Sequence, residues 1–86
     1  MHILLIEDDQ SVAEFVEKGF IGKGQVITHA ATGTDGLGLA KDEAYDAIII
    51  DRMLPELDGI SIVKALRGEG DTTPILILSA LGEVSD

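Results

Sequence analysis

The sequence predicts an α/β fold in which helices cover a four-stranded parallel β-sheet. Three short apolar runs, residues 3–6, 47–50 and 75–78, are rich in Ile and Leu and show no alternation with polar residues. Such runs are typical of strands buried on both faces, as in a parallel sheet. A fourth, mixed run and three segments with helical spacing lie between them. The resulting order, β-α-β-α-β-α-β with short connections, favours a parallel sheet.

The composition restricts the kind of function. The 86 residues suffice for one domain, and 16 acidic against 6 basic side chains give a formal charge of -10. This charge argues against direct binding to nucleic acids or anionic membranes, which need a basic surface. A bound cation could stabilise the fold by reducing the repulsion between the acidic side chains. The sequence has no cysteine and therefore no disulfide or thiolate site. We find no signal peptide and no apolar run long enough to span a bilayer, so we expect a cytoplasmic protein.

The first strand, residues 3–6, ends at three consecutive acidic residues. Ser11 followed by Glu14 fits a capping box, so we predict a helix over residues 11–23. Its apolar side chains recur at helical spacing: Val12, Phe15, Val16 and Phe20. The next strand, residues 25–30, mixes apolar and polar side chains, which favours an edge position in the sheet.

The second helix, residues 32–41, contains three glycines, which we attribute to close packing because no phosphate-binding glycine motif occurs in the chain. Its apolar stripe is Leu37, Ala40 and Ala44. The third helix begins at Asp58, a predicted N-cap. Its buried stripe is Ile62, Val63 and Leu66. The fourth strand, residues 75–78, is apolar throughout, and we expect it to be buried on both faces.

Acidic side chains are predicted to meet at one edge of this sheet. Right-handed crossovers and an edge position for the second strand give the spatial order 2-1-3-4. Ligands of such sheets bind beyond the carboxyl ends of the strands, where the strand order reverses. The polar residues that follow the strands at this edge are Glu7, Asp8, Asp9, Asp51 and Ser79.

Converging carboxylates indicate a cation site. They raise one another's pKa unless a cation joins them, and their hard oxygens suit Mg²⁺. Beside the cation, a carboxylate can act as a nucleophile toward phosphorus and form an aspartyl phosphate. Two plainer alternatives remain open: Asp51 only starts a turn, or the acids form a solvated rim of mutually repelling charges.

Four motifs of the chain resemble the receiver domain of bacterial two-component response regulators: residues 3–9, 48–51, 53–59 and 78–80. The residues of the third motif are most similar to those of regulators that carry a winged-helix DNA-binding effector. The resemblance implies a flavodoxin-like doubly wound sheet, Mg²⁺ as cofactor and a histidine kinase as partner. It also implies a phosphoacceptor domain that at most assists its own phosphorylation, and therefore not an enzyme.

The resemblance assigns a role to each site residue. Asp51 is the phosphoacceptor, and Asp8 is a direct ligand of Mg²⁺. Glu7 acts on the metal through water, and the backbone carbonyl of Met53 is a further ligand. Ser79 hydrogen-bonds the phosphoryl group and carries the switch.

Three other polar residues are expected to lie outside the site. Asp9 is expected to cap the first helix rather than bind metal. The histidines His2 and His29 match nothing functional in the family, and we expect them at the surface or at the edge of the sheet.

The chain also departs from the family pattern. A complete receiver continues with a fourth helix, a fifth strand followed by a lysine, and a fifth helix, so we expect residues 1–86 to be a partial receiver domain. The fourth strand then has an unpaired apolar edge, and part of one sheet face lacks a cover. We therefore predict a homodimer or a domain-swapped oligomer through these surfaces.

Two other functions are weighed against phosphoacceptance. The first is a self-associating binding module that keeps a metal-ready acidic pocket but transfers phosphate poorly. The second is a phosphohydrolase with an aspartate nucleophile, which is disfavoured because no acid stands two residues after Asp51, as it does in such enzymes.

Overall fold

The computed structural model describes residues 1–20, 24–52, 54 and 57–78, which form one parallel sheet with helices on both faces. The spatial order of the strands is β2-β1-β3-β4, which confirms the predicted topology and the edge position of the second strand. The elements in chain order are β1 (His2–Ile6), α1 (Gln10–Phe20), β2 (Val26–Ala30), α2 (Gly33–Asp42), β3 (Ala47–Asp51), α3 (Gly59–Gly68) and β4 (Ile75–Leu78).

The register of the central strands sets two carboxylates side by side. Ile6 of β1 is paired with Ile50 of β3, so the next residues, Glu7 and Asp51, leave the sheet at the same level. The outer pair β3 and β4 ends with Asp51 opposite Leu78. The carboxyl ends of three strands therefore reach one edge together, as the sequence predicts.

The core has two layers because successive side chains of a strand point to opposite faces. The larger layer lies between the sheet and the helices α2 and α3, and its fully buried members include Leu4, Ile6, Ile48, Ile50, Ile62 and Leu66. The smaller layer lies under α1 and consists of Ile3, Leu5, Ala13 and Ile49, with Val16, Phe20, Ile27 and Leu78 packed against it.

The start of α1 corrects one prediction. The helix begins at Gln10, and Asp9 is its cap, since Asp9 Oδ1 accepts hydrogen bonds from the backbone N–H of Ser11 (2.8 Å) and Val12 (3.2 Å). The predicted capping box of Ser11 and Glu14 is therefore wrong, and the prediction that Asp9 caps the helix is confirmed. The carboxylate of Asp9, two residues before Ser11, is a stronger acceptor at the positive end of the helix than a hydroxyl. The predicted last turn, residues 21–23, lies outside the described residues.

Two large apolar side chains are far more exposed than the sequence predicts, and Val12 of the predicted stripe on α1 is also exposed. Phe15 on α1 is 79% exposed, because the helix turns Ala13, Val16 and Phe20 toward the sheet instead. Leu76 on β4 is 59% exposed, so the prediction that this strand is buried on both faces is wrong. No helix in the described part of the chain covers the sheet face at Leu76.

The other two helices start as the sequence predicts. Thr32 caps α2, and Asp58 caps α3 by accepting a hydrogen bond from the N–H of Ser61 over 2.8 Å. Gly36 packs against the side chain of Ile6 and Gly33 against the backbone of Leu57, which confirms close packing as the reason for these two glycines. A Cβ on Gly38 would have no atom within 4 Å, so close packing is wrong as the reason there. Ala44, however, is exposed and follows the end of α2, so it does not belong to the apolar stripe. No helix in the described part of the chain combines the length and apolarity needed to cross a bilayer.

Candidate functional site

The carboxylates of Glu7, Asp8 and Asp51 form one cluster at the carboxyl end of the sheet. One oxygen from each lies within 4.8 Å of the others, close enough to hold a single metal ion. Glu7 is buried at 3% exposure, Asp51 is half-buried and Asp8 is exposed. The cluster therefore extends from the protein interior to the solvent, where a cation can reach it.

Three hydrogen bonds to groups outside the cluster hold Glu7 in place. Its backbone N–H donates to Ala30 O over 3.0 Å, which extends the pairing of β1 with β2. Its carbonyl oxygen accepts from His29 Nε2 at 2.8 Å, and Glu7 Oε2 accepts from the backbone N–H of Asp9 at 3.1 Å. The backbone of Glu7 is thus held by β2, and its carboxylate is held by the backbone N–H of Asp9 at the cap of α1.

The electrostatics of the cluster favour a bound cation. Burial is the largest cause that raises the pKa of Glu7 from 4.5 to about 7, and hydrogen bonding and charge from Asp51 and a hydrogen bond from Asp8 raise it further. The hydrogen bond from the N–H of Asp9 opposes this shift. Near neutral pH, Glu7 therefore retains a proton for a large part of the time, and a divalent cation can replace that proton.

The donor set fits Mg²⁺. All three side chains offer hard carboxylate oxygens, and Mg²⁺ prefers oxygen ligands while keeping several of its own waters. The exposed side of the cluster, at Asp8, leaves room for those waters. A cation at the cluster would offset the negative charge of Asp51, which is one of the causes that raise the pKa of Glu7 beside burial.

The structure brings together three of the five site residues that the sequence predicts. Glu7, Asp8 and Asp51 meet, and Asp9 is used as a cap, as expected. Asp51 is the last residue of β3 and its neighbours form a cluster with it, so it does more than start a turn. The predicted ligand Met53 and the predicted hydroxyl residue Ser79 lie outside the described residues.

Sequence reasoning missed the contact between His29 and Glu7. His29 lies on the edge strand, as expected, but its ring also supports the backbone of a cluster residue and lies 4.0 Å from a carboxylate oxygen of Glu17. The register of β2 against β1, which sets His29 opposite Leu5, is the signal that would have revealed the contact. His2 lies at the other end of the sheet, where it bonds Thr28 and contacts the ring of Tyr45.

Comparison with known proteins identifies the family. The family model for the response regulator receiver domain matches residues 3–86. The probable transcriptional regulatory protein SilR of Salmonella typhimurium is 42% identical over 84 residues, which are 98% of this chain and 37% of SilR. The chain thus spans a little over a third of the length of this relative. The likeness to a transcriptional regulator agrees with the expectation from the third motif.

Solved structures agree in fold. The Francisella response regulator 1452 receiver domain has a TM-score of 0.89 and 41% identity, and the match covers 96% of this chain and 69% of that one. The receiver domain of the sensor histidine kinase PA1611 from Pseudomonas aeruginosa PAO1 has a TM-score of 0.86 and 34% identity, covering 93% and 67%. In that structure a magnesium ion is coordinated in the active-site cleft. This chain therefore belongs to the receiver domains of two-component response regulators.

Proposed function

We propose that Asp51 accepts a phosphoryl group from the phosphohistidine of a histidine kinase, in a site where Asp8 and Asp51 hold Mg²⁺ directly and Glu7 holds it through water. The observation that carries this proposal is the convergence of the three carboxylates within 4.8 Å at the ends of β1 and β3. Membership in the receiver family supports the histidine kinase as the donor. Met53, through its carbonyl, and Ser79, through its hydroxyl, keep the roles that the resemblance implies.

The proposed step is an in-line transfer. A carboxylate oxygen of Asp51 attacks phosphorus, the new bond from oxygen to phosphorus forms, and the bond from phosphorus to the histidine nitrogen breaks. The electron pair of that bond stays on the leaving imidazole, which takes up a proton from solvent. When bound, Mg²⁺ supplies the positive charge that offsets the phosphoryl oxygens.

Hydrogen bonds within the chain hold Asp51 and Glu7 in position for this step. Asp51 is fixed by strand pairing, since the N–H of Arg52 donates to Leu78 O over 2.9 Å directly after it. Glu7 is fixed from β2 and from Asp9, so the distance between the two carboxylates is set before a donor arrives. Such preorganisation is most of what phosphoryl transfer requires from a protein.

Intact mass spectrometry tests the proposal. The chain is incubated with Mg²⁺ and a small phosphodonor such as acetyl phosphate, and we expect a gain of one phosphoryl mass. Asp51→Asn should abolish the gain, whereas Asp42→Asn, an exposed carboxyl group at the end of α2, should retain it. No gain in the parent chain would favour the alternative, a self-associating module with impaired phosphotransfer.

We also propose that residues 1–86 are the larger part of a receiver domain and that this part self-associates through β4. The chain covers about two thirds of the solved receiver domains that it matches, with 69% for the Francisella protein. In the described part of the chain, β4 is an edge strand without a polar side chain, whereas the opposite edge strand, β2, contains Thr28 and His29. An apolar edge is a template for a strand of another molecule, so a second copy is the partner we propose.

The oligomeric state tests self-association. Light scattering at micromolar concentration should give a dimer for the parent chain and a monomer for Leu76→Lys. Val26→Lys on the opposite edge is the matched control, because Val26 is 60% exposed and Leu76 59% exposed. A parent chain that is monomeric, or equal dissociation by both variants, would contradict the role of β4.

A further inference from the structure

Gly59, the first residue of α3, lies against the backbone at the end of β3. Its N–H donates to Arg52 O over 3.2 Å. A Cβ atom on Gly59 would lie 2.8 Å from Asp51 O, 3.1 Å from Arg52 Cα and 3.0 Å from Ile50 Cγ2. Two of these three atoms belong to the backbone, so a change of rotamer cannot relieve the contact.

Conformational freedom does not explain this glycine. The glycines with positive φ in the described residues are Gly24 and Gly70, whereas Gly59 is helical. Alanine is favoured over glycine at helical positions, so the glycine needs another reason. Gly38 and Gly68 are also helical, yet a Cβ on either would have no atom within 4 Å. Gly59 differs from them because the backbone of Asp51 and Arg52 leaves no space for a side chain.

A side chain at position 59 has to separate the start of α3 from the end of β3. The helix α3 is anchored by Ile62 and Leu66, which are fully buried in the larger core layer. Asp51, in contrast, is the half-buried last residue of its strand. Because α3 is held by these buried side chains, the separation also displaces the backbone that carries the Asp51 carboxylate.

We propose that Gly59 is a positioning residue for Asp51: the absence of a side chain lets α3 approach the end of β3 and sets the place of the Asp51 carboxylate relative to Glu7 and Asp8. This inference rests on the proposed function of the cluster as a Mg²⁺ and phosphoacceptor site. Functional constellations tolerate displacements of only about 0.5 Å. The contact of 2.8 Å is well inside ordinary van der Waals distance, so relieving it uses up much of that tolerance.

Calorimetric titration with MgCl₂ and thermal melting without Mg²⁺ test the inference on Gly59→Ala. We expect the dissociation constant for Mg²⁺ to rise by roughly tenfold or more, as for other groups that orient metal ligands. Gly68→Ala, the control in the same helix, should bind Mg²⁺ like the parent chain. Leu66→Ala removes a buried side chain far along α3, so it should lower the melting temperature and leave Mg²⁺ affinity unchanged.

The comparison of Gly59→Ala with Leu66→Ala separates an effect on the position of Asp51 from an effect on the stability of the fold. If Gly59→Ala melts too early for titration, the same substitution is made together with Gly38→Ala and Gly68→Ala, which add helix propensity at sites without contacts. A Mg²⁺ affinity of Gly59→Ala equal to that of the parent overturns the inference. A parent chain that binds no Mg²⁺ overturns the proposed function, and with it the inference that rests on it.

Discussion

Asp9 and Glu7 are joined by a hydrogen bond in which the backbone N–H of Asp9 donates to Glu7 Oε2 over 3.1 Å. The Asp9 side chain accepts hydrogen bonds from the first turn of α1. One residue therefore both begins a helix and holds a buried carboxylate of the acidic cluster.

The raised pKa of Glu7 predicts how stability depends on pH. Its folded-state pKa of about 7 exceeds the ordinary value of 4.5, so the folded chain binds the proton more tightly. The stabilisation is complete below pH 4.5 and is lost as the pH rises through 7, by about 3 kcal/mol in total. Urea unfolding of the parent and of Glu7→Gln from pH 4 to 8, without Mg²⁺, should show this loss only in the parent.

Glu14→Gln is the control for that measurement, because Glu14 is an exposed acid on α1. It should keep the pH dependence of the parent chain. A Glu7→Gln profile that runs parallel to the parent profile would mean that the proton on Glu7 is not linked to folding.

Magnesium should stabilise the chain through Asp8. A ligand that binds only the folded state adds about 2.7 kcal/mol at a hundredfold excess over its dissociation constant. We expect Mg²⁺ to raise the melting temperature of the parent at pH 7 and to leave that of Asp8→Asn unchanged. Asp8 is exposed, so the substitution should not unfold the chain. An equal shift in Asp8→Asn would exclude Asp8 as a ligand.

The cap of α1 gives a third prediction. Asp9→Ala should destabilise the chain by about 1 kcal/mol, the usual effect of losing an N-cap side chain. Ser11→Ala should have little effect, because the Ser11 position contributes its backbone N–H to the cap. Chemical denaturation of both variants measures the difference. The opposite order of stabilities would restore the capping box of Ser11 and Glu14.

The sheet and the acidic cluster could be predicted from the sequence because short apolar runs and the handedness of crossovers leave few arrangements. The order of the strands then sets Glu7 beside Asp51. The cap of α1 could not be predicted with the same certainty, since Asp9 and Ser11 are both competent N-cap residues and the choice depends on where the helix axis meets the sheet. The exposure of Phe15 depends on the rotation of α1 for the same reason.

Features that depend on strand register also could not be predicted from the sequence. The bond from His29 to the Glu7 carbonyl requires β2 and β1 to pair as Ile6 with Ala30, and no pattern of apolar residues specifies that alignment. The close approach of Gly59 to the backbone at Asp51 could not be predicted either, because Gly59 in a sequence indicates only the start of a helix. Both features concern the backbone, whereas sequence patterns report mainly on side chains.

The pairing of Ile6 with Ile50 has a kinetic consequence. These residues are far apart in the chain, and a slip by one residue would turn the side chain of Asp51 to the other face of the sheet. A cation held by Asp8 and Asp51 would therefore bind only after β1 and β3 have paired in the correct register. Since such pairing is slow to form, bound Mg²⁺ should mainly lengthen the lifetime of the native chain and leave its folding rate almost unchanged.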